Sequence, residues 1–199
     1  MEQFYEQVRG IWRLRVPFDK IYTSVFLIRT ETDAFLVDCA TTAQDVDECI
    51  IPALSCLGLS LSDVRAIVLT HKHEDHAGGL ERILEHSPAI EVVKDVQQLC
   101  EGVSTYPMAG HTADCIGVLD ERTHTLISGD GLQGAGVDTY RCSVKTREAY
   151  FQTLERVKSD ERIENLLLSH AYEPWNTDAI FGRKAVCECA EQCKEYVNV

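Results

Sequence analysis

Positive charge is scarce in this sequence: 19 Lys and Arg stand against 32 Asp and Glu, for a formal net charge of −13. Gripping a phosphate backbone takes clustered basic side chains, so a nucleic-acid partner is not expected. Long apolar runs are missing too. A membrane helix needs roughly 20 consecutive apolar residues, and stretches such as Ala66 to Leu69 fall far short of that, so no membrane partner is expected either. Glu2, Glu6 and Arg9 have no apolar run behind them, unlike a secretion signal, which places the chain in the cytoplasm. No repeat, Pro-rich linker, charge block or low-complexity stretch divides residues 1–199, which read as a single domain. The nine cysteines are an odd number without a spaced framework, so reduced thiols are expected.

What is present is α/β patterning. Gly10–Val16, Tyr22–Arg29 and Ala34–Asp38 read as strands, followed by a helix whose apolar positions Val46, Ile50, Ala53, Leu54 and Leu57 recur at helical spacing up to Gly58. Short apolar strands then alternate with helices: Arg65–Thr70, a helix over His76–His86, Ile90–Val93 and a short helix around Asp95–Cys100. Val103–Met108, Cys115–Leu119 and His124–Ile127 read as strands, Val144–Val157 as an amphipathic helix, Ile163–Leu168 as a buried strand and Asp178–Tyr196 as a closing helix.

The sharpest signal lies in Thr70 to Gly79, THKHEDHAGG, where His71, His73, Asp75 and His76 place four metal-ligand types within six residues. Composition alone would produce this H-x-H-x-D-H spacing about 6 times in 10,000. Residues two apart share a side in extended chain but diverge in a helix, so His71 and His73 meet one ion most easily where the segment leaves a strand. Asp75 alone reads equally well as a helix cap. Gly78 and Gly79 read as close backbone approach or as packing slack, with equal weight.

Three further polar residues follow apolar strands: His111 in AGHTADC, Asp130 in LISGDGL and His170 in LLLSHAYEP. Each alone reads as a satisfied buried group or a turn residue. Together they stand where α/β sheets gather ligands, beyond the carboxyl ends of strands. His86 at a helix end and His124 beside a turn read as structural. Cys189 and Cys193 share a helix face that Cys187 leaves, and read as buried sulfur.

On these seven positions the sequence resembles the metallo-β-lactamase-fold superfamily of metallohydrolases, most closely its glyoxalase II-like branch, over nearly the whole chain. The resemblance implies a four-layer αββα sandwich of two mixed sheets with helices on the outer faces. It implies that His71, His73 and His111 hold one metal and Asp75, His76 and His170 a second, with Asp130 bridging. Two zinc ions are the expected cofactor, with iron and manganese as alternatives. Two dications, two carboxylates and a bridging hydroxide leave a centre of about +1, suited to an anionic or carbonyl substrate. The expected activity is hydrolysis of a small ester, thioester or lactone-like molecule, with Asp75 or Asp130 orienting the hydroxide. Pairing of two chains is left open.

The sequence departs from that branch in two places. Too few residues follow His170 for the helical domain that grips glutathione, and Gly131 stands where many relatives have Thr or Ser, leaving Ser128 as the nearby hydroxyl. Gly131–Ser143 reads equally as a lid, with Tyr140 and Arg141 reaching substrate, or as a surface loop. Tyr172 and Trp175 are further candidates to wall a pocket, against packing of the last helix. The competing functions are a persulfide dioxygenase-like oxidoreductase, for which resemblance implies one iron on His71, His111 and Asp130, and a non-catalytic metal-binding relative.

Overall fold

The computed structural model describes residues 3–18, 21–132, 144–172 and 177–197. The backbone divides into two compact units, Met1–Lys94 and Asp95–Val199. The first carries a six-stranded sheet in sequence order: β1 (Tyr5–Val8), β2 (Ile11–Phe18), β3 (Ile21–Arg29), β4 (Ala34–Val37), β5 (Ala66–Val68) and β6 (Glu91–Val93). Pairing is antiparallel from β1 to β4 and parallel from β4 to β6. Strand alternation decides what the helices cover. Leu14, Val16, Val25, Leu27, Leu36 and Ile67 share a core with Val46, Ile50, Leu54 and Ile83 from the helical segments.

Those segments begin at a capping box, in which the Thr42 hydroxyl accepts from the Asp45 N–H and the Asp45 carboxylate accepts from the Thr42 N–H. A short α1 (Ala43–Asp45) widens into a π turn over Val46–Ile50 before α2 (Ile51–Cys56). Pro52 sits in the first turn of α2, and the widening precedes the residue that can neither donate to the helix nor tolerate a close carbonyl. Gly58, at φ +71°, ends the run. Beyond β5 come α3 (Glu74–Ala77) and α4 (Leu80–His86), where the sequence suggested one helix from His76.

The second unit holds β7 (Gln98–Cys100), β8 (Val103–Pro107), β9 (Ile116–Asp120), β10 (Thr125–Ile127), β11 (Asn165–Tyr172) and β12 (Thr177–Phe181) in the order β12-β11-β10-β9-β8-β7, with only β10 and β11 parallel among them. Met108, Leu119, Leu126, Leu166 and Leu168 share a core with Tyr150, Leu154 and Val157 of α5 (Arg147–Ser159) and Val186, Ala190 and Cys193 of α6 (Arg183–Val197). The Arg183 guanidinium donates to the carbonyls of Val157, Lys158 and Ile163, satisfying acceptors that the end of α5 leaves open.

One expected helix is a strand, and another starts later than expected. Around Asp95–Cys100 the chain forms β7, which turns at Glu101–Gly102 and pairs with β8; Gly102 adopts φ +76°. The closing helix starts at Arg183 rather than Asp178, because β12 pairs with β11 first and Gly182, at φ +92°, separates strand from helix. The two mixed six-stranded sheets with helices are the α/β class expected. Among the described residues no helix is long and apolar enough to cross a membrane.

Candidate functional site

In the first unit the ligand-type residues gather where β5 ends. His71 and His73, between the end of β5 and the start of α3, bring Nε2 and Nδ1 to 2.9 Å of each other, with ring planes 78° apart. His73 then stands at the N-terminal cap of α3, which carries Asp75 and His76. Asp75 is therefore the second residue of that helix rather than its cap. His76 is buried, its ring centre 4.2 Å from that of His71 and its Nε2 3.4 Å from Asp75 Oδ2.

Behind these groups lies Asp38, which the sequence offered only as the end of a strand. It adopts φ +62°, a region Asp tolerates better than most residues, and is fully buried. Its carboxylate accepts the Thr70 N–H at 2.8 Å and the Thr70 hydroxyl at 2.9 and 3.0 Å, and lies 2.7 Å from His76 Nδ1. A carboxylate only accepts, so His76 carries its proton on Nδ1 and turns the Nε2 lone pair toward Asp75. The Thr70 hydroxyl spends its hydrogen on Asp38, so the 3.1 Å contact with His71 Nδ1 is donated by the ring. His71 thus also keeps its Nε2 lone pair outward, toward His73. Buried Asp38 fixes both tautomers, the arrangement that metal-ligating histidines need.

The two glycines after His76 are explained by close approach. A Cβ on Gly78 would lie 1.9 Å from the Thr41 carbonyl oxygen, and one on Gly79 2.2 Å from that of Cys39. Contact is tight there because the Cys39 N–H donates to the His76 carbonyl at 2.8 Å. Burial, with the neighbouring Asp38 carboxylate, pushes the Cys39 thiol up, so it stays neutral and donates to the same carbonyl at 3.2 Å.

In the second unit His111, Asp130 and His170 are all buried. His111 follows β8 through Gly110, whose would-be Cβ lies 2.6 Å from the backbone of Tyr150. Asp130 follows β10 through Gly129 at φ +54°. His170 lies within β11, beyond the part of the strand paired with β10. Asp130 presents one oxygen to each imidazole, Oδ1 at 3.3 Å from His170 Nε2 and Oδ2 at 3.8 Å from His111 Nε2. Ser128 does not turn toward Asp130; it donates to the carbonyls of Gly129 and Leu167. Gly131 leaves its space to Met108, whose Cε would lie 2.6 Å from an added Cβ.

Tyr140, Arg141 and Trp175 lie outside the described residues, and Tyr172 is the last residue of β11. His86 pairs with Asp47 at 3.0 Å, and His124 contacts the Arg162 carbonyl at 3.2 Å, each away from these groups. Cys189 and Cys193 are buried together.

Imidazole and carboxylate donors suit divalent cations, and His71, His73, Asp75 and His76 of the first unit and His111, Asp130 and His170 of the second are residues that could bind a metal ion. Residues 19–97 match the family model described as the metallo-beta-lactamase superfamily. The chain is 27% identical to a beta-lactamase-like protein 2 homolog of Caenorhabditis elegans, over 71% of this chain and 54% of that one. It is 28% identical to the thioesterase pkgB of Emericella nidulans, over 62% and 41%. Against a hydroxyacylglutathione hydrolase of Actinobacillus pleuropneumoniae it is 24% identical, over 74% and 65%. The chain thus spans about half the length of the curated relatives it matches. A crystal structure of a metallo-beta-lactamase from Erythrobacter litoralis shares the fold at TM-score 0.71 and 20% identity, covering 96% of each chain. The mono-zinc form of FIM-1 from Pseudomonas aeruginosa does so at TM-score 0.75 and 15% identity, covering 98% of this chain and 95% of that one. The family model over residues 19–97 and the curated relatives support the metallo-beta-lactamase superfamily, and the solved structures share the α/β fold.

Proposed function

We propose that the chain is a metal-dependent hydrolase of a small ester, thioester or lactone-like substrate. In this reading His71, His73 and His111 hold one ion, Asp75, His76 and His170 a second, and Asp130 stands between them. Bound divalent metal supplies Lewis acidity and a water that ionises near neutral pH. Zinc is the favoured ion because imidazole and carboxylate donors suit it.

The observation that carries the reading is histidine orientation. Asp38 and Thr70 hold the protons of His71 and His76 on Nδ1, leaving both Nε2 atoms as acceptors. That preparation is wasted on histidines serving only as core polar groups. Asp75 and Asp130 are the carboxylates of the set, and their part is to accept a hydrogen bond from the attacking water and aim it at the carbonyl carbon. The relatives named as a thioesterase and a hydroxyacylglutathione hydrolase support acyl transfer to water. The net charge of −13 supports a small molecule over a nucleic acid as substrate.

Elemental analysis of purified protein, with turnover on a thioester, lactone and phosphodiester panel, tests the proposal. Two zinc ions per chain and cleavage of a carbonyl substrate are expected, with His73→Ala and Asp130→Asn each losing metal and about 100-fold or more in turnover. Unchanged activity in those variants overturns the assignment. One iron per chain with oxygen uptake replaces it by an oxidative one.

A further inference from the structure

Resting on the metal-centre reading above, we infer that Thr153 of α5 is a positioning residue, one that holds the His111 loop where its imidazole can ligate. His111 needs such support because it stands on no regular element. β8 ends at Pro107 and β9 begins at Ile116, so a loop carries it, and a ligand on a loop is placed less closely than one on a strand or helix. The Met108 N–H donates to the Cys115 carbonyl at 2.9 Å, the Gly110 N–H to the Thr112 carbonyl at 3.0 Å, and the Thr112 hydroxyl to Asp114 at 2.8 Å. Those bonds tie the loop to itself, and α5 ties it to the rest of the unit.

The helix does so along one line. Arg156 donates from Nη1 to the Pro107 carbonyl at 3.0 Å, Thr153 donates its hydroxyl to the Ala109 carbonyl at 2.7 Å, and the N–H of Thr146, the helix cap, donates to the Gly110 carbonyl at 3.1 Å. The helix positions descend as the loop positions rise, so one face of α5 runs back along the chain that leads into His111. Gly110 permits the approach, since an added Cβ would lie 2.6 Å from both Cα and Cβ of Tyr150. Of the three donors, Thr153 makes the shortest bond, and its side chain is buried where that of Arg156 is exposed.

Threonine is not what packing alone would select there. Tyr150, Leu154 and Val157 make up the rest of the buried face of α5, and a hydroxyl among them is unfavourable unless it finds a partner. In a helix the threonine hydroxyl commonly turns back on the carbonyl four residues earlier. Here it leaves the helix for Ala109 instead. Valine would fill the same space without a donor, so what the hydroxyl adds is the hold on Ala109, two residues before His111. His111 is fully buried, with Nε2 3.8 Å from Asp130 Oδ2. A shift of roughly 0.5 Å in the loop is enough to take such a ligand out of its working geometry.

Competition for zinc against a chromophoric chelator tests this on the full chain. Thr153→Val is expected to weaken zinc binding about 10-fold or more, and Thr153→Ser, which keeps the hydroxyl, to stay within about threefold of wild type. Val157→Ala removes packing from the same face and no hydrogen bond; it is expected to lower Tm at least as far while leaving zinc affinity within about twofold. If the valine variant does not fold, Thr153→Ala, with its stronger helix propensity, carries the same comparison. Imidazole nitrogen shifts of the metal-free protein give a second readout: those of His111 move in Thr153→Val and return in Thr153→Ser, while those of His86 and His124 stay. Equal weakening in Thr153→Val and Val157→Ala, unchanged affinity in Thr153→Val, or unmoved His111 signals overturns the inference. If wild type binds no zinc, the metal-centre reading fails and the imidazole signals alone decide. A selective move of His111 then still supports its placement by Thr153, and unmoved signals reject it.

Discussion

Replacing Asp38 by Asn tests whether the proton positions of the motif histidines are imposed from behind. The change keeps shape and suits the backbone, since Asn also tolerates the φ of +62° found there. It removes one acceptor. One amide oxygen can still receive the Thr70 N–H and hydroxyl, now at 2.8 and 3.0 Å on Oδ1. The amide nitrogen then takes the place of Oδ2, 2.7 Å from His76 Nδ1, where two donors would face each other. His76 relieves the conflict by moving its proton to Nε2, the atom beside Asp75. A protonated nitrogen cannot ligate. Loss of such an orienting partner weakens metal affinity about 10- to 100-fold, or roughly 1.4–2.7 kcal/mol. The hydrogen bond to the charged acceptor is worth about 1.5–3 kcal/mol in addition to that linkage. Competition against a zinc chelator measures affinity, and nitrogen chemical shifts of the metal-free protein report the tautomer. Wild-type affinity in Asp38→Asn, or a His76 that keeps its proton on Nδ1, refutes the reasoning.

Gly78→Ala should destabilise the chain by about 1–3 kcal/mol or more, because the new Cβ meets the Thr41 carbonyl oxygen, a backbone atom, at 1.9 Å. At this chain length that lowers Tm by roughly 5 °C, whereas Gly58→Asn, with open space and a φ of +71°, should change it little; equal effects would count against the close-approach explanation. Asp160→Asn addresses pH. Hydrogen bonds from Arg162 hold the Asp160 carboxyl below its ordinary range, so the folded state binds that proton less readily than the unfolded one. Its stabilisation is full above about pH 4 and is lost as pH falls through the lowered folded value. Urea midpoints of wild type and variant should differ by a constant amount between pH 5 and 8 and converge below about pH 4; a gap that persists in acid refutes the account.

Much of the candidate chemistry was legible because it is local. His71, His73, Asp75 and His76 announce themselves by spacing within a few residues, and apolar strand ends point to His111, Asp130 and His170. Asp38 was not legible. Its partners Thr70 and His76 lie 32 and 38 positions along the chain, and one aspartate after an apolar run has the same local pattern as any strand end. β7, read as a helix, and β12, read in large part as the start of one, have three and five residues. Helical spacing is easily mimicked at that length, and strand hydrogen bonds come from a partner that local pattern does not contain. His170, expected after a strand, stands inside one because β11 continues past its pairing with β10.

By itself the sequence determined the α/β class, the absence of a long apolar helix and the residue types offered to a metal, because hydrophobic period and ligand spacing act over a few residues. Tertiary structure alone decided which nitrogen of His71 and His76 faces outward and why Gly78 and Gly79 can carry no side chain. Those outcomes depend on atoms brought within about 3 to 5 Å across strands and turns, and hydrogen-bond direction and steric exclusion are felt only at that range.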